Sequence, residues 1–209
     1  AVIGAVLGGL AALMTLLCGL LTKERLQPVR AEKFSFKPFA NLIRNKPWIC
    51  LTLAGIFSNF FNGFRYAVAG YLLTYCLGGE VTIGRLIINY TVFMTFGEVT
   101  CMVFGGLSPL FTRMVGSKKK AFSIAALICA ASSVAFFFIP RDASYIWLMI
   151  VNVIITSIGI GFYSPLLWSM YADVADYSTK TYGTSSTGLI FSSGTMAQKL
   201  GSAVSGALV

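Results

Sequence analysis

The chain has 209 residues, 56% of them hydrophobic and 11% charged, with a formal net charge of +9. Soluble domains carry about 25% charged residues, and a chain of this size cannot enclose so much apolar surface in water. A soluble globular fold is excluded, and a lipid solvent, in which apolar side chains face outward, is expected.

A helix needs about 20 apolar residues to span the hydrocarbon core. Six stretches qualify: 1–21, 47–77, 84–112, 121–140, 144–171 and 184–209. A membrane β-barrel would alternate over segments of about 10 residues. These runs are longer and continuous, and a backbone in lipid must satisfy its own hydrogen bonds, so an all-α membrane bundle is predicted. The chain starts without Met and stops inside an apolar run at Val209. It shows no signal-peptide pattern and reads as a piece of a longer protein.

The positive charge is placed unevenly. Segment 22–46 holds seven Lys and Arg residues, and segment 112–120 holds four, Arg113, Lys118, Lys119 and Lys120. The connections 78–85, 140–144 and 172–183 hold one each, Arg85, Arg141 and Lys180. Basic clusters between apolar runs mark cytoplasmic loops, so 22–46 and 112–120 are assigned to the cytoplasm, and 172–183 follows by alternation. This distribution also argues against a nucleic-acid partner, which a basic patch alone does not support. Segment 22–46 contains Pro28, Pro38 and a short amphipathic piece, Phe36 to Ile43, with Pro47 just beyond it. A connection of this length suggests a linker between two helical bundles. Cys18, Cys50, Cys76, Cys101 and Cys129 are an odd set without paired spacing, and histidine is absent. Neither a disulfide framework nor a zinc site is expected.

Charged residues within membrane helices are costly and mark function. Arg65 lies 12 residues before Leu77 at the outer end of the second run, and Glu98 lies 14 residues after Gly84 at the outer end of the third. At a rise of about 1.5 Å per residue the two depths differ by about 3 Å, which permits a pair across antiparallel neighbours. Lys199 lies deep in the last run. Polar residues follow helical spacing beside each: Ser58, Asn62 and Arg65; Thr91, Thr95 and Glu98; Ser185, Ser192, Thr195, Lys199 and Ser202. Ser193, Ala197, Gly201 and Ser205 fall opposite, four apart, as a small-residue packing seam. The fifth run carries Asn152, Thr156, Gly159 and Tyr163 on one face. Gly159, Gly161 and Pro165 are expected to weaken that helix, as in the moving helices of transporters. Trp168 is expected to be an interfacial anchor.

At the cytoplasmic edge, Asp173 and Asp176 are three apart and share a helix face. They are expected to meet a helix N-terminus or basic groups of another loop. A paired-carboxylate hydrolase lacks further catalytic groups. Residues 183–188 lack the GK[ST] ending of a phosphate loop, and Thr181-Tyr182-Gly183 lies outside any pore-like setting. No catalytic residue, metal ligand or cofactor is expected.

Residues 164–201, SPLLWSMYADVADYSTKTYGTSSTGLIFSSGTMAQKLG, resemble the signature region of the glycoside–pentoside–hexuronide:cation symporters, the family of the melibiose carrier. The Thr22-Lys23-Glu24-Arg25 and Asn45-Lys46-Pro47 segments are similar to that family as well. The resemblance implies the major facilitator fold, twelve helices in two bundles, with this chain corresponding to helices six to eleven. Residues 1–21 would then be the last helix of the N-terminal bundle, 22–46 the inter-bundle linker, and 47–209 five helices of the C-terminal bundle. It implies inward movement of a sugar or glycoside with Na⁺ or H⁺, the cation site lying mainly on helices outside this chain. It further implies a coupling role for Lys199 and cytoplasmic gate contacts at Asp173 and Asp176. At the place of the family's aromatic sugar contact on helix ten, this chain departs with Tyr163-Ser164-Pro165.

The expectation is thus a multi-pass protein of the bacterial inner membrane, in contact with lipid and performing cation-coupled sugar symport. Lys199, Arg65 and Glu98 are assigned to transport and coupling, and Asp173, Asp176 and Tyr177 to a cytoplasmic gate. Asn62, Thr95, Asn152, Thr156, Tyr163, Ser192 and Thr195 are assigned to a cavity lining. The alternatives are a lipid or amphiphile transporter on the same fold, compatible with 17 Phe residues, and a non-transporting scaffold or channel subunit.

Overall fold

The computed structural model describes residues 2–22, 37–83, 86–183 and 187–209. The expectations for residues 23–36, Gly84, Arg85 and Ser185 fall outside that set. The chain divides into two compact units, Ala1–Ser35 and Phe36–Val209. The first contains α1, Val2–Leu21. Its Thr15 hydroxyl donates back to the Ala11 carbonyl at 2.9 Å, which hides that polar group within the helix.

The second unit starts with α2, Lys37–Arg44, then α3, Lys46–Tyr71, which widens into a π-helical turn over Leu72–Cys76. A hairpin of β1, Glu80–Ile83, and β2, Leu86–Asn89, leads into α4, Tyr90–Val115, and α5, Lys118–Phe137. A 3₁₀ turn at Ala143–Tyr145 opens α6, Ile146–Tyr182, and α7 covers Thr187–Leu208. The all-α architecture is as expected. Helices α1, α4, α5 and α6 are long and apolar enough to cross a membrane by length and composition. Helices α3 and α7, of 26 and 22 residues, are long enough but more polar.

The ends follow local chemistry. The Asn45 side chain accepts from Trp48 N, and Pro47 sits in the first turn of α3, where its missing N–H costs nothing. Asn89 caps α4 in the same way, accepting from Val92 N at 3.0 Å. Gly116 and Gly183, at φ of 78° and 68°, close α4 and α6 in the left-handed conformation that favours glycine.

Two boundaries differ from the sequence reading. The third run was expected to be helical from residue 84, yet the chain is extended through Asn89, with Glu80 paired to Asn89 and Ile83 to Leu86. Val81, Thr82, Ile87 and Ile88 are β-branched and suit strands, and Val81 and Ile88 are buried in the core. Residues 172–183 were expected to be a loop, yet α6 runs unbroken to Tyr182. Hydropathy falls after Tyr171, but no Gly or Pro stops the helix before Gly183.

α3 packs along α7, while α4 and α5 pack along α6. Gly159 and Gly161, expected to loosen α6, are its crossing points. A Cβ at Gly159 would lie 2.8 Å from the Ala125 carbonyl, and one at Gly161 would lie 2.8 Å from the Cys101 carbonyl. The helix also continues through Pro165. The small-residue seam of α7 is buried on α3: Ala197 faces Gly55, Gly201 meets the backbone of Ile56 and Phe60, and Ser205 meets Gly63. Apolar side chains gather near the hairpin around Leu73, Ile88, Phe93 and Met149. A second group lies at the Lys118 end around Leu42, Tyr171 and Ile190.

Candidate functional site

The centre of the second unit is held by one cation. Arg65, midway along α3, donates from Nη1 to Ser157 Oγ on α6 at 2.9 Å. Its Nη2 lies 3.6 Å from Glu98 Oε1 on α4. The Tyr66 hydroxyl also donates to that carboxylate oxygen. Gly97 makes the arrangement possible, since a Cβ there would come within 2.8 Å of Ser157 Oγ and 2.9 Å of Val153 Cγ1. The Arg65 side chain is 13% exposed and that of Glu98 51%. The carboxylate thus stands at the open edge and the guanidinium behind it. Hydrogen bonds to a charged group offset the cost of holding Arg65 away from water. Its Nε is buried and has no hydrogen-bond partner among the described residues. The sequence singled out Arg65 and Glu98 and permitted a pair without fixing either partner, and the two groups meet here. Ser157 and Tyr66 were missed, although Tyr66 directly follows Arg65.

Arg65 also borders a cavity of about 650 Å³ among α3, α5 and α6. Phe64, Phe93, Phe136 and Phe137 give it aromatic walls, and Arg141 contributes from the α5–α6 connection. Asn152 and Thr156 reach the lining, but their polar groups are engaged. Asn152 Nδ2 donates to the Ser132 carbonyl at 2.9 Å, and the Thr156 and Ser132 hydroxyls lie 2.7 Å apart. Tyr163 is buried against Phe122, Ala125 and Cys129, in the core and not on the lining of this cavity. Asn62 is half-buried, and its Oδ1 lacks a partner among the described residues.

Lys199, Ser192, Thr195 and Thr95 are exposed. The hydroxyls of Ser192, Thr195 and Thr95 bond carbonyls of their own helices, at Gly188, Ser192 and Thr91. Lys199 has no ion pair among the described residues. The polar stripe of α7 thus lies open, opposite the seam that packs on α3.

At the basic end, Lys118 at the start of α5 donates to both oxygens of Asp173 on α6, at 2.8 and 2.7 Å. Asp176 and Tyr177 are exposed, and Asp176 forms no ion pair among the described residues. Beneath this edge Trp48 Nε1 donates to Ser193 Oγ at 2.7 Å, and the buried Tyr171 hydroxyl donates to the Leu51 carbonyl at 3.4 Å. These bonds tie α3 to α7 and to α6. Trp168, expected at the interface, is half-buried and stacks on Phe191 at 6.4 Å.

Residues 1–209 match the family model of the MFS/sugar transport proteins. The chain belongs to that family. The inner membrane symporter YicJ of Escherichia coli K12 is 27% identical over 208 residues, 98% of this chain and 42% of that protein. An uncharacterized 29.9 kDa protein from the crtE 3′ region of Pseudescherichia vulneris is 28% identical over 162 residues, 78% of this chain and 54% of that protein. The chain spans about half the length of these curated relatives. The resemblance drawn from residues 164–201 is borne out at the level of the MFS/sugar transport family, as is the multi-pass helical membrane chain. Membership points to a transporter rather than an enzyme.

Proposed function

We propose that the protein is a cation-coupled symporter, moving a sugar or glycoside with Na⁺ or H⁺ across a bacterial inner membrane by alternating access. Family membership supports the sugar, and the symporter relative supports the coupling. One observation in this chain carries the reading: Arg65 and Glu98, opposite charges at membrane depth, join α3, α4 and α6 through Ser157 and Tyr66. Intramembrane charges of this kind mark transport pathways. A network spanning three helices offers two arrangements whose balance a ligand shifts by binding one better. Lys199 contributes a third charge from the open face of α7. The Lys118–Asp173 contact and the neighbouring Asp176 and Tyr177 act as the cytoplasmic gate. The coupling cation binds mainly on helices outside this chain.

The test uses the full-length protein in sealed vesicles, with a panel of glycosides and pentosides and a readout of Na⁺ and H⁺ influx. Sugar-triggered influx is expected. Folded protein that moves no ion with any sugar overturns the proposal. The aromatic walls and the two arginines of the 650 Å³ cavity favour a second reading, an anionic amphiphile as cargo. Competition by lysolipid, with none by glycosides, would establish that reading instead.

A further inference from the structure

We infer that the corner between α4 and α5 seats an anionic phospholipid of the cytoplasmic leaflet, its phosphate held by Arg113, Lys119 and Lys120 and its acyl chain laid along α5. Only Gly116 and Ser117 separate the two helices. Arg113 stands in the last turn of α4, and Lys118, Lys119 and Lys120 open α5, so the chain brings four cations to one corner. Lys118 is satisfied, since it donates to both oxygens of Asp173. Arg113, Lys119 and Lys120 are exposed and form no ion pair among the described residues. Ser117, between them, makes no side-chain cap bond to α5.

α5 supplies the apolar half of the seat. Its buried face is Ala121, Ala125, Cys129 and Ser132, and this helix packs along α6. Lys120, Ile124, Leu127, Ala131 and Val134 follow at steps of four, three, four and three on an exposed face. Leu127 is 67% exposed and Val134 62%. In a helix long and apolar enough to cross a membrane, such a face meets lipid. From Lys120 to Ala131 the helix rises about 16 Å, against about 15 Å for one leaflet's half of the hydrocarbon core. With the stripe filling one leaflet, the Lys120 ammonium stands at headgroup depth, where long cationic side chains reach the interface.

Charge complementarity selects the headgroup. Phosphatidylglycerol brings a net negative charge to three cations that lack a counter-ion. An ethanolamine headgroup adds an ammonium, and at this end only Asp176 of α6 offers it a carboxylate without an ion pair among the described residues. The pull of Lys and Arg on anionic lipid falls off within a Debye length, so cations gathered on one turn act together. The cytoplasmic bias of basic residues accounts for positive charge at this end of the bundle. It does not account for a lysine in register with a lipid-facing stripe, beside two further unpaired cations.

The experiment is a thermal melt of the full-length protein, purified in dodecyl maltoside and stripped of lipid, with dioleoylphosphatidylglycerol titrated in. Dioleoylphosphatidylethanolamine and inorganic phosphate are the comparison probes. A lipid that binds the folded protein raises its melting temperature as the lipid concentration rises, and each shift is read against the same protein without lipid. Arg113→Gln/Lys120→Gln is compared with Arg44→Gln/Lys180→Gln, which removes the same charge from exposed side chains in the last turns of α2 and α6. Phosphatidylglycerol should raise the melting temperature of the unaltered protein and of the α2/α6 variant. The corner variant should need severalfold more lipid for the same rise. Equal loss in both variants reports a diffuse surface potential and overturns the seat. An equal rise with phosphatidylethanolamine overturns the anionic class. A rise with inorganic phosphate alone assigns the corner to a free anion and overturns the lipid. No rise with phosphatidylglycerol overturns the inference outright.

Discussion

Ser157 Oγ on α6 accepts from Arg65 Nη1 of α3 at 2.9 Å, and this bond holds the guanidinium where it also faces Glu98 of α4. Removing it separates position from charge. Ser157→Ala should cost about 1.5–3 kcal/mol, the worth of a hydrogen bond to a charged group. Arg65→Lys keeps the charge but cannot serve two acceptors with a planar fork. We expect Arg65→Lys to lower sugar uptake more than Ser157→Ala does, with both proteins folded. Thermal melts of purified full-length protein and initial uptake rates check this. Equal uptake in Arg65→Lys and the unaltered protein would mean that charge alone suffices.

Lys199 stands on the exposed face of α7, away from the seam of Ser193, Ala197, Gly201 and Ser205. Its removal opens no cavity in the packed core. Lys199→Ala should leave membrane insertion and melting temperature unchanged while sharply reducing cation-coupled uptake. Surface abundance and ion-coupled accumulation are measured together. Normal coupled uptake in this variant would remove Lys199 from the mechanism.

The features readable in advance were those fixed by solvent and spacing. The six apolar runs matched six long helices because each must bury its backbone polar groups within itself. Charge within apolar runs singled out Arg65 and Glu98, although the depth of Glu98 was counted from Gly84 and α4 starts only at Tyr90, and four-residue spacing separated the buried seam of α7 from its open polar stripe. Features set by tertiary packing were not readable. Ser157 is one of several small residues on α6, and only the close approach at Gly97 makes it the partner of Arg65. The length of α6 was hidden because hydropathy drops at Asp173 while helix-compatible residues continue to Gly183. The β1–β2 hairpin was hidden because β2 read as the start of a membrane helix and β1 as part of the connection before it.

The Lys118–Asp173 pair is solvent-exposed, at 40% and 55% of its side chains, although both carboxylate oxygens are engaged. Exposed pairs contribute about 0.2–1 kcal/mol and weaken with salt. Lys118→Ala and Asp173→Asn should therefore barely change stability, yet each should slow uptake if the contact gates the cytoplasmic side. The exchange Lys118→Asp with Asp173→Lys should restore much of the rate. Uptake in the single and double variants, at low and high salt, decides it. Unimpaired single variants would reduce the pair to a surface contact.

Gly161 and Gly106 separate packing from helix propensity. A Cβ at Gly161 of α6 would lie 2.8 Å from the Cys101 carbonyl and 3.1 Å from Gly105 N, backbone atoms of α4 that cannot rotate away. A Cβ at Gly106 meets nothing within 4 Å. Replacing either glycine by alanine favours the helix by about 0.5–1 kcal/mol. At Gly161 the overpacking cost of about 1–3 kcal/mol outweighs that gain. Gly161→Ala should lower the melting temperature and Gly106→Ala should hold or raise it, as read by fluorescence-detected size exclusion after heating. The same displacement of α4 would carry Glu98 relative to Arg65, so Gly161→Ala should also reduce uptake in protein that still folds at growth temperature. A Gly161→Ala protein as stable and active as the original would show that α4 and α6 do not depend on this crossing.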